Sequence, residues 1–342
     1  MRIRYAVAGS PVEHTLSPAL FALTVAHLEK AGLNIQIEEF DIIDTSDVTA
    51  PMAWAWVQKG IPSDKKKHPL YGDFSSESVS RLIGLARSAI RQVDAADSDH
   101  VPYQETLFSH GREHIRKRRE EVETWMSITS PLKHLLNIRS GVHPVDGCLE
   151  NGAVNQLRWD GINWYAAGTD GLGVVSIAQH FGFDFDLNGI DSPLLCMIGG
   201  GGSARSCAAS WAEAGGRIWS ISGRRNLDGR GPWKNAILDD EDVVGHLGMR
   251  LFIDFDAEAG SPSTSANTIA DIQVSASYNS EKVAQVVGYD GACIHLDGRW
   301  LLASQHLHAW SQIFSPEFAH LLPGLGLTVT RLLALETLIN SS

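Results

Sequence analysis

Cysteine is scarce: four residues (Cys148, Cys196, Cys207, Cys293) in 342, none spaced as C-x-x-C. That argues against a disulfide scaffold and against a cysteine-built zinc site. Cys196 and Cys207 lie in apolar stretches and read as reduced core thiols of a cytoplasmic protein. Basic charge is also short, with 28 Lys and Arg against 40 Asp and Glu and a net charge of −12. A nucleic-acid partner needs a clustered basic surface, so none is expected. No apolar run approaches the ~18 residues of a membrane span, and the opening MRIRYAVAGS lacks a signal-peptide core. The histidines show no metal-ligand spacing. HGREH (110–114) spells H-x-x-E-H, but it sits in a charged stretch with Gly111 inside it and nothing else suggests a protease. No internal repeat is present. Neither metal, membrane nor nucleic acid is therefore implied.

What remains is an ordinary globular composition, 44% hydrophobic and 20% charged, long enough for two domains. YAVAG (5–9) reads as a strand. After a turn, Ser17-Pro18 reads as an N-cap and first helical position, with Leu20, Phe21, Val25 and Leu28 at helical spacing up to AGL. IQIEEFDII (35–43) is the next strand, completing a β-α-β unit and implying a parallel sheet.

A second unit begins at LLCMI (194–198), a buried-strand pattern followed directly by GGGGSARSCAASWAEAGG. Gly199, Gly201 and Ala204 fit the G-x-G-x-x-G/A fingerprint, and RIWSIS (217–222) supplies the following strand. Small residues let a pyrophosphate approach the backbone, and the helix N-terminus offers free N–H groups. Gly199, Gly200, Gly201, Gly202, Ser203, Ala204 and Arg205 are the candidate phosphate loop. An NAD site would carry an acid about 20 residues on, to hold the ribose 2′-hydroxyl. Here stand Ser222, Gly223, Arg224 and Arg225, whose guanidinium forks suit a 2′-phosphate, so NADP is the expected cofactor.

Four polar clusters fall at strand ends or turns of the first 175 residues: Thr15 with Ser17, Thr129 with Lys133, Asn155 in GAVNQL, and Asp170 in GTDGLG. In SITSPLKHLL (127–136), Ser130-Pro131 reads as a helix start, which puts Lys133 in a first turn where the dipole disfavours a cation. Each residue has a plain structural reading, as a cap, a turn former or a solvated charge. A lysine near an aspartate is also equipped to exchange a proton with an alcohol oxygen.

Together these segments resemble the shikimate 5-dehydrogenase family, in order, across most of the chain. YAVAGSPVEHTLSP resembles its opening strand and Ser-x-Ser turn, with Thr15 for the first serine. SITSPLK resembles N-V-T-x-P-[FH]-K, GAVNQL resembles G-A-V-N-T-[LI], and GTDGLG resembles N-T-D-G-x-G. MIGGGGSAR resembles I-G-A-G-G-A-A-R, and ISGRR stands where N-R-T usually lies. SASYN (275–279) and DGRWLLASQ (297–305) resemble the tyrosine-bearing and D-G-x-x-M-L-x-x-Q segments.

The resemblance implies a two-domain α/β fold. A substrate domain over 1–175 would regain the C-terminal helices of 299–342, with a Rossmann NADP domain over 176–298 between. It implies a catalytic pair, Lys133 and Asp170, and a substrate carboxylate held by Thr15, Ser17 and Tyr278. Ring hydroxyls would fall to Asn155, Gln305 and Thr129, and Gly298 would lie against the cofactor. The implied reaction is hydride transfer between NADPH and 3-dehydroshikimate, by a monomer or homodimer. Quinate, aminoshikimate or another polyol acid is the alternative substrate, and a ligand sensor without turnover the alternative role.

The chain departs from the pattern in four places. Ser127 replaces an asparagine, which would remove an amide donor near the ring. IDFDAEAG (253–260) replaces N-A-T-x-x-G and would bring acids near the nicotinamide. Arg299 and Trp300 replace small or aliphatic residues. Residues 44–126 replace a short helix with an insertion carrying Trp54, Trp56, Lys65-Lys66-Lys67, the helical pattern SVSRLIGLARSAI and the charged run REHIRKRREEVE. A solvated helical excursion is expected there, with a lid or oligomer contact as the sharper alternative.

Overall fold

A computed structural model describes residues 1–56, 68–72, 75–96, 122–257, 270–279 and 287–341. The Lys65–Lys67 run, HGREH and the charged run from Arg112 to Glu121 lie outside the described residues. The chain divides into two compact units, Met1–Ala167 with His306–Ser342, and Gly168–Gln305.

The first unit carries strands β1 (Arg2–Gly9), β2 (Gln36–Asp44), β3 (Glu123–Ile128), β4 (Val142–Pro144), β5 (Gln156–Trp159) and β6 (Trp164–Ala167) in one sheet, ordered β2-β1-β3-β5-β6-β4. β1 runs parallel to β2 and β3, whereas β5 is antiparallel to both β3 and β6. Helices α1 (Ser17–Lys30), α2 (Thr49–Trp56), α3 (Ser76–Ala96) and α4 (Cys148–Asn151) belong to this unit. So does the chain from His306, where a π turn (Trp310–Phe314) precedes the final helix, Leu325–Asn340.

The core forms because β1, buried along almost its whole length, stacks aromatic rings against α1 and the returning C-terminal segment. Tyr5 lies flat on Phe21 at 3.8 Å between centroids, and Trp125 lies flat on Phe314 at 5.0 Å. Such rings bury large areas and prefer offset contacts. Arg158 and Glu123 are buried in the same unit as a bidentate pair at 2.9 and 3.0 Å. Arg158 also donates to the Ile313 carbonyl, tying the sheet to the π turn.

α3, from within the insertion, is amphipathic rather than merely solvated. Val79, Leu82, Ala86, Ala89, Ile90 and Val93 are buried on one face. Its other face carries Arg87 and Asp94, which pair with Glu29 and Lys30 of α1. Part of the insertion is therefore a layer of the unit.

The second unit carries β7 (Leu194–Ile198), β8 (Arg217–Ile221), β9 (Arg250–Asp254), β10 (Ile272–Ser275), β11 (Val287–Asp290) and β12 (Cys293–Leu296), ordered β11-β12-β10-β9-β7-β8. All pairs are parallel except β11 with β12. α5 (Asp170–His180), α6 (Gly202–Glu213), α7 (Asp240–Val244) and α8 (Gly298–Ala309) complete it, α8 running on past Gln305 into the first unit; the final helix is α9. β7, a central strand of this sheet, is the apolar run LLCMI, buried up to its last residue as a parallel strand covered on both faces is. The expected α/β class, with two sheet-bearing units, is what the chain adopts.

Candidate functional site

In the first unit, sheet topology gathers the sequence-predicted residues at one edge. β1 and β3 are parallel neighbours with Ala8 opposite Ile128, so both end at the same edge. β5 is antiparallel to β3, with Gln156 opposite Ser127, so Asn155 just before it lies at that edge too. Backbone bonds fasten the three turns together. Thr129 N–H donates to Ala8 O at 2.8 Å, Ser10 N–H to Ser130 O at 2.9 Å, and Ile128 N–H to Asn155 O at 2.7 Å. Val154 N–H donates to Lys133 O at 3.0 Å. Gly9 is required here, because a side chain would press into Thr129 and the Ser130 carbonyl. Thr15, Ser17, Thr129, Lys133 and Asn155 thus share one edge, with Asn155 buried and Lys133 half-buried.

Two local expectations need correction. Lys133 is not in an α-helix: Leu132–His134 is a single 3₁₀ turn with Pro131 at its N-cap and no side-chain cap. So short a turn has no macrodipole, and the dipole argument for this lysine falls. Ser17 is the first helical residue rather than the cap, which is Leu16. The Thr15 hydroxyl accepts the Ser17 N–H at 3.3 Å and takes over the local polar contact.

Ser127, which stands in the place of the asparagine, has its partners within the sheet. Its hydroxyl is shared with Tyr5 OH at 2.8 Å and donates to Gln156 Oε1 at 3.1 Å, in a buried polar row across three strands. The change from asparagine is accommodated within the sheet. Two residues escaped the sequence reading. His68 Nδ1 accepts the Leu70 N–H, so its Nε2–H donates to Val12 O at 3.3 Å; Tyr71 OH donates to Thr15 O at 3.0 Å. Burial lowers the His68 pKa, which suits a neutral ring. The pair, stacked at 4.7 Å, holds the turn bearing Thr15 and Ser17. HPLYG has no periodicity or motif that could have revealed it.

In the second unit the glycine loop has the geometry its spelling implies. β7 ends at Ile198, Gly199 adopts φ +105°, and Gly201 caps α6 in an extended conformation. A side chain at Gly200 would press into the Asn226 carbonyl, whereas one at Gly201 would meet nothing within 4 Å. Open space beside the N-terminus of a 12-residue helix is a cradle that fits a pyrophosphate. Ser203 and Ala204 follow on the first turn of α6, and Arg205 N–H donates to Gly201 O at 2.9 Å. Ser222, Gly223, Arg224 and Arg225 form an exposed loop after β8, where Gly223 N–H donates to Asn226 Oδ1 at 3.3 Å.

Asp170 is buried in the first turn of α5, where a carboxylate complements the dipole. The next residue must be glycine, because a methyl there would press into the Ser206 carbonyl of α6. Gly171 N–H donates to Ser206 Oγ at 3.0 Å. Two residues on, Gly173 lies against the Gln305 backbone, with 3.1 Å from an added Cβ to its nitrogen. α5 is therefore packed between the glycine-loop helix and the segment bearing Gln305. Tyr278 lies under the Arg299 guanidinium at 5.7 Å, and Arg299 is held by Asp297 at 3.0 Å and the Asn279 carbonyl at 3.0 Å. Arg299, a departure from the pattern, thus anchors the Tyr278 segment. Gly298 admits the Ser277 carbonyl. Among the described residues no group of three His, Cys, Asp or Glu could hold a metal ion.

Two mixed α/β units, one of them a mostly parallel sheet with a glycine loop at its first strand–helix turn, have the architecture of the dinucleotide-binding class of fold. The particular fold is that of the shikimate 5-dehydrogenases. The enzyme from Thermus thermophilus, solved in complex with shikimate, superposes with a TM-score of 0.53 at 18% identity, over 99% of both chains. Shikimate dehydrogenases from Aquifex aeolicus (TM-score 0.49, 16% identity, 91% of both chains) and Mycobacterium tuberculosis (0.49, 15%, 96% of this chain and 98% of that one) are also similar. No protein-family model and no curated sequence matches the chain. No helix among the described residues is long and apolar enough to cross a membrane.

Proposed function

We propose that the protein is an NADP-dependent shikimate dehydrogenase, interconverting 3-dehydroshikimate and shikimate. The observation that carries this reading is the clustering of Thr15, Ser17, Thr129, Lys133 and Asn155 at one sheet edge, each within a segment that resembles the family's in order. Thr15, Ser17 and Tyr278 are assigned the substrate carboxylate. Asn155, Thr129 and Gln305 are assigned the ring hydroxyls, since amides and hydroxyls can both donate and accept. Lys133 and Asp170 are assigned the proton exchanged with the alcohol oxygen.

The Gly199–Arg205 loop would hold the pyrophosphate and Arg224 with Arg225 the 2′-phosphate, with Gly298 beside the cofactor. When bound, the dinucleotide supplies or accepts the hydride. The protein's own part is to hold the substrate in register and move one proton. The reading also assigns the protein to the cytoplasm, working on a small molecule.

The deciding experiment is NADP+ reduction with shikimate, quinate and aminoshikimate. Turnover of shikimate above the other two supports the assignment. Turnover of quinate alone would move the substrate, and binding of shikimate without turnover of any would leave a sensor.

A further inference from the structure

The acid that the sequence lacks at the end of β8 is supplied by another strand. Asp256 follows β9, where Asp254 Oδ1 accepts both the Asp256 and Ala257 N–H groups and fixes a tight turn. That turn carries Asp256 across the end of β7 to the end of β8. Its Oδ1 lies 3.3 Å from where a Cβ would stand on Gly199, and its Oδ2 lies 2.5 Å from that point on Gly223. Oδ2 accepts the Arg224 N–H at 2.5 Å, and Arg224 Nη2 donates to the Asp256 carbonyl at 3.1 Å. The Arg224 guanidinium also stands 3.7 Å from Oδ1, so it is drawn back onto Asp256. The Asp256 side chain is 19% accessible, so the carboxylate is not fully enclosed. The acids of IDFDAEAG, expected at the nicotinamide, thus place one carboxylate beside the very arginine read as the 2′-phosphate ligand.

We propose that Asp256 is a specificity-determining residue of the dinucleotide site, disfavouring the 2′-phosphate and accepting the ribose 2′-hydroxyl, so that NAD(H) binds nearly as well as NADP(H). The inference rests on the dinucleotide-site reading given above. A carboxylate accepts hydrogen bonds from a neutral diol, repels a dianionic phosphate, and competes with that phosphate for Arg224. Arg224 and Arg225 pull toward NADP, Asp256 pulls away from it, and the balance is small. The fingerprint acid normally comes from the end of the second strand. Here the same chemistry reaches the same place from β9.

The test is equilibrium binding of NAD+ and NADP+ to the unliganded protein, followed by tryptophan fluorescence or calorimetry with no substrate present. Wild type should bind the two within about tenfold of each other, since one like-charge contact near a surface changes affinity by roughly that much. Asp256→Asn and Asp256→Ser should each tighten NADP+ at least about fivefold relative to NAD+. A wild-type preference for NADP+ well beyond tenfold, or a ratio unmoved by both substitutions, would overturn the assignment of Asp256 while leaving the dinucleotide site intact. Failure of wild type to bind either nucleotide would instead remove the site, and this inference with it.

Discussion

His27, in the last turn of α1, makes the acid stability of the first unit open to calculation. Arg331 of α9 can only donate, so its Nη1 at 2.9 Å makes His27 Nδ1 the acceptor. Nε2 therefore carries the proton and donates to the Leu321 carbonyl at 2.9 Å. A second proton would have to enter between the ring and a guanidinium. Burial first, and then the Arg331 charge, lower the His27 pKa from 6.5 to about 4. Arg331 is itself held by Asp94, which Lys30 also grips at 2.6 Å.

The sign follows from proton uptake. Between pH 6.5 and about 4 the unfolded chain binds a proton at this histidine and the folded chain does not, so stability falls with pH. At about 1.4 kcal/mol per pH unit the full difference is about 3 kcal/mol, or about 2 allowing for water at the partly exposed ring. His306, whose pKa burial lowers to about 3, loses stability in the same window and must be separated out. The assay is urea denaturation of wild type and His27→Gln at pH 7.0 and 4.5. Wild type should lose about 2 kcal/mol more than the variant over that interval. Equal losses would show that His27 titrates normally and that the Arg331 contact does not fix its tautomer.

Three further outcomes are expected. Lys133→Ala and Asp170→Asn should each lower kcat on the best substrate by ~10²–10⁴-fold with smaller effects on KM, and the double variant should be little worse; near-normal kcat for Lys133→Ala would end the proton-transfer assignment. Gly171→Ala should destabilise the second unit by about 2 kcal/mol or more in denaturation, because the new methyl meets the Ser206 backbone rather than a side chain that can turn aside. Glu123→Gln should cost about 3–5 kcal/mol by leaving Arg158 charged and buried, and a loss below about 1 kcal/mol would mean that the pair is hydrated.

Much of this fold was legible because its signals are local. LLCMI followed by GGGG states a buried strand and a tight turn within a few residues, and β7, the loop and α6 stand at those positions. YAVAG and IQIEEFDII were equally plain, differing from β1 and β2 mainly at the ends. Ser130-Pro131 misled because Pro at a first helical position signals a start and says nothing of length. Here the turn ends after His134, and Val154 takes up the Lys133 carbonyl that a longer helix would have used.

The part of the candidate site that sequence did not reveal is the part made by distant pairings. His68 and Tyr71 reach the Thr15 turn across more than fifty residues, from a stretch with no pattern of its own. Asp256 is a sharper instance. Read along the chain it belongs to β9, and nothing in its spacing from Arg224 suggests contact. Only the strand order, with β7 between β8 and β9, shows that a turn after β9 can cross one strand end and meet the loop after β8. A fingerprint scored by distance along the sequence looks for its acid on one strand, whereas the ribose would respond to any carboxylate within reach. The arginines after RIWSIS, read without an acid beside them, therefore state only half of the local charge, because the opposing half arrives through the sheet.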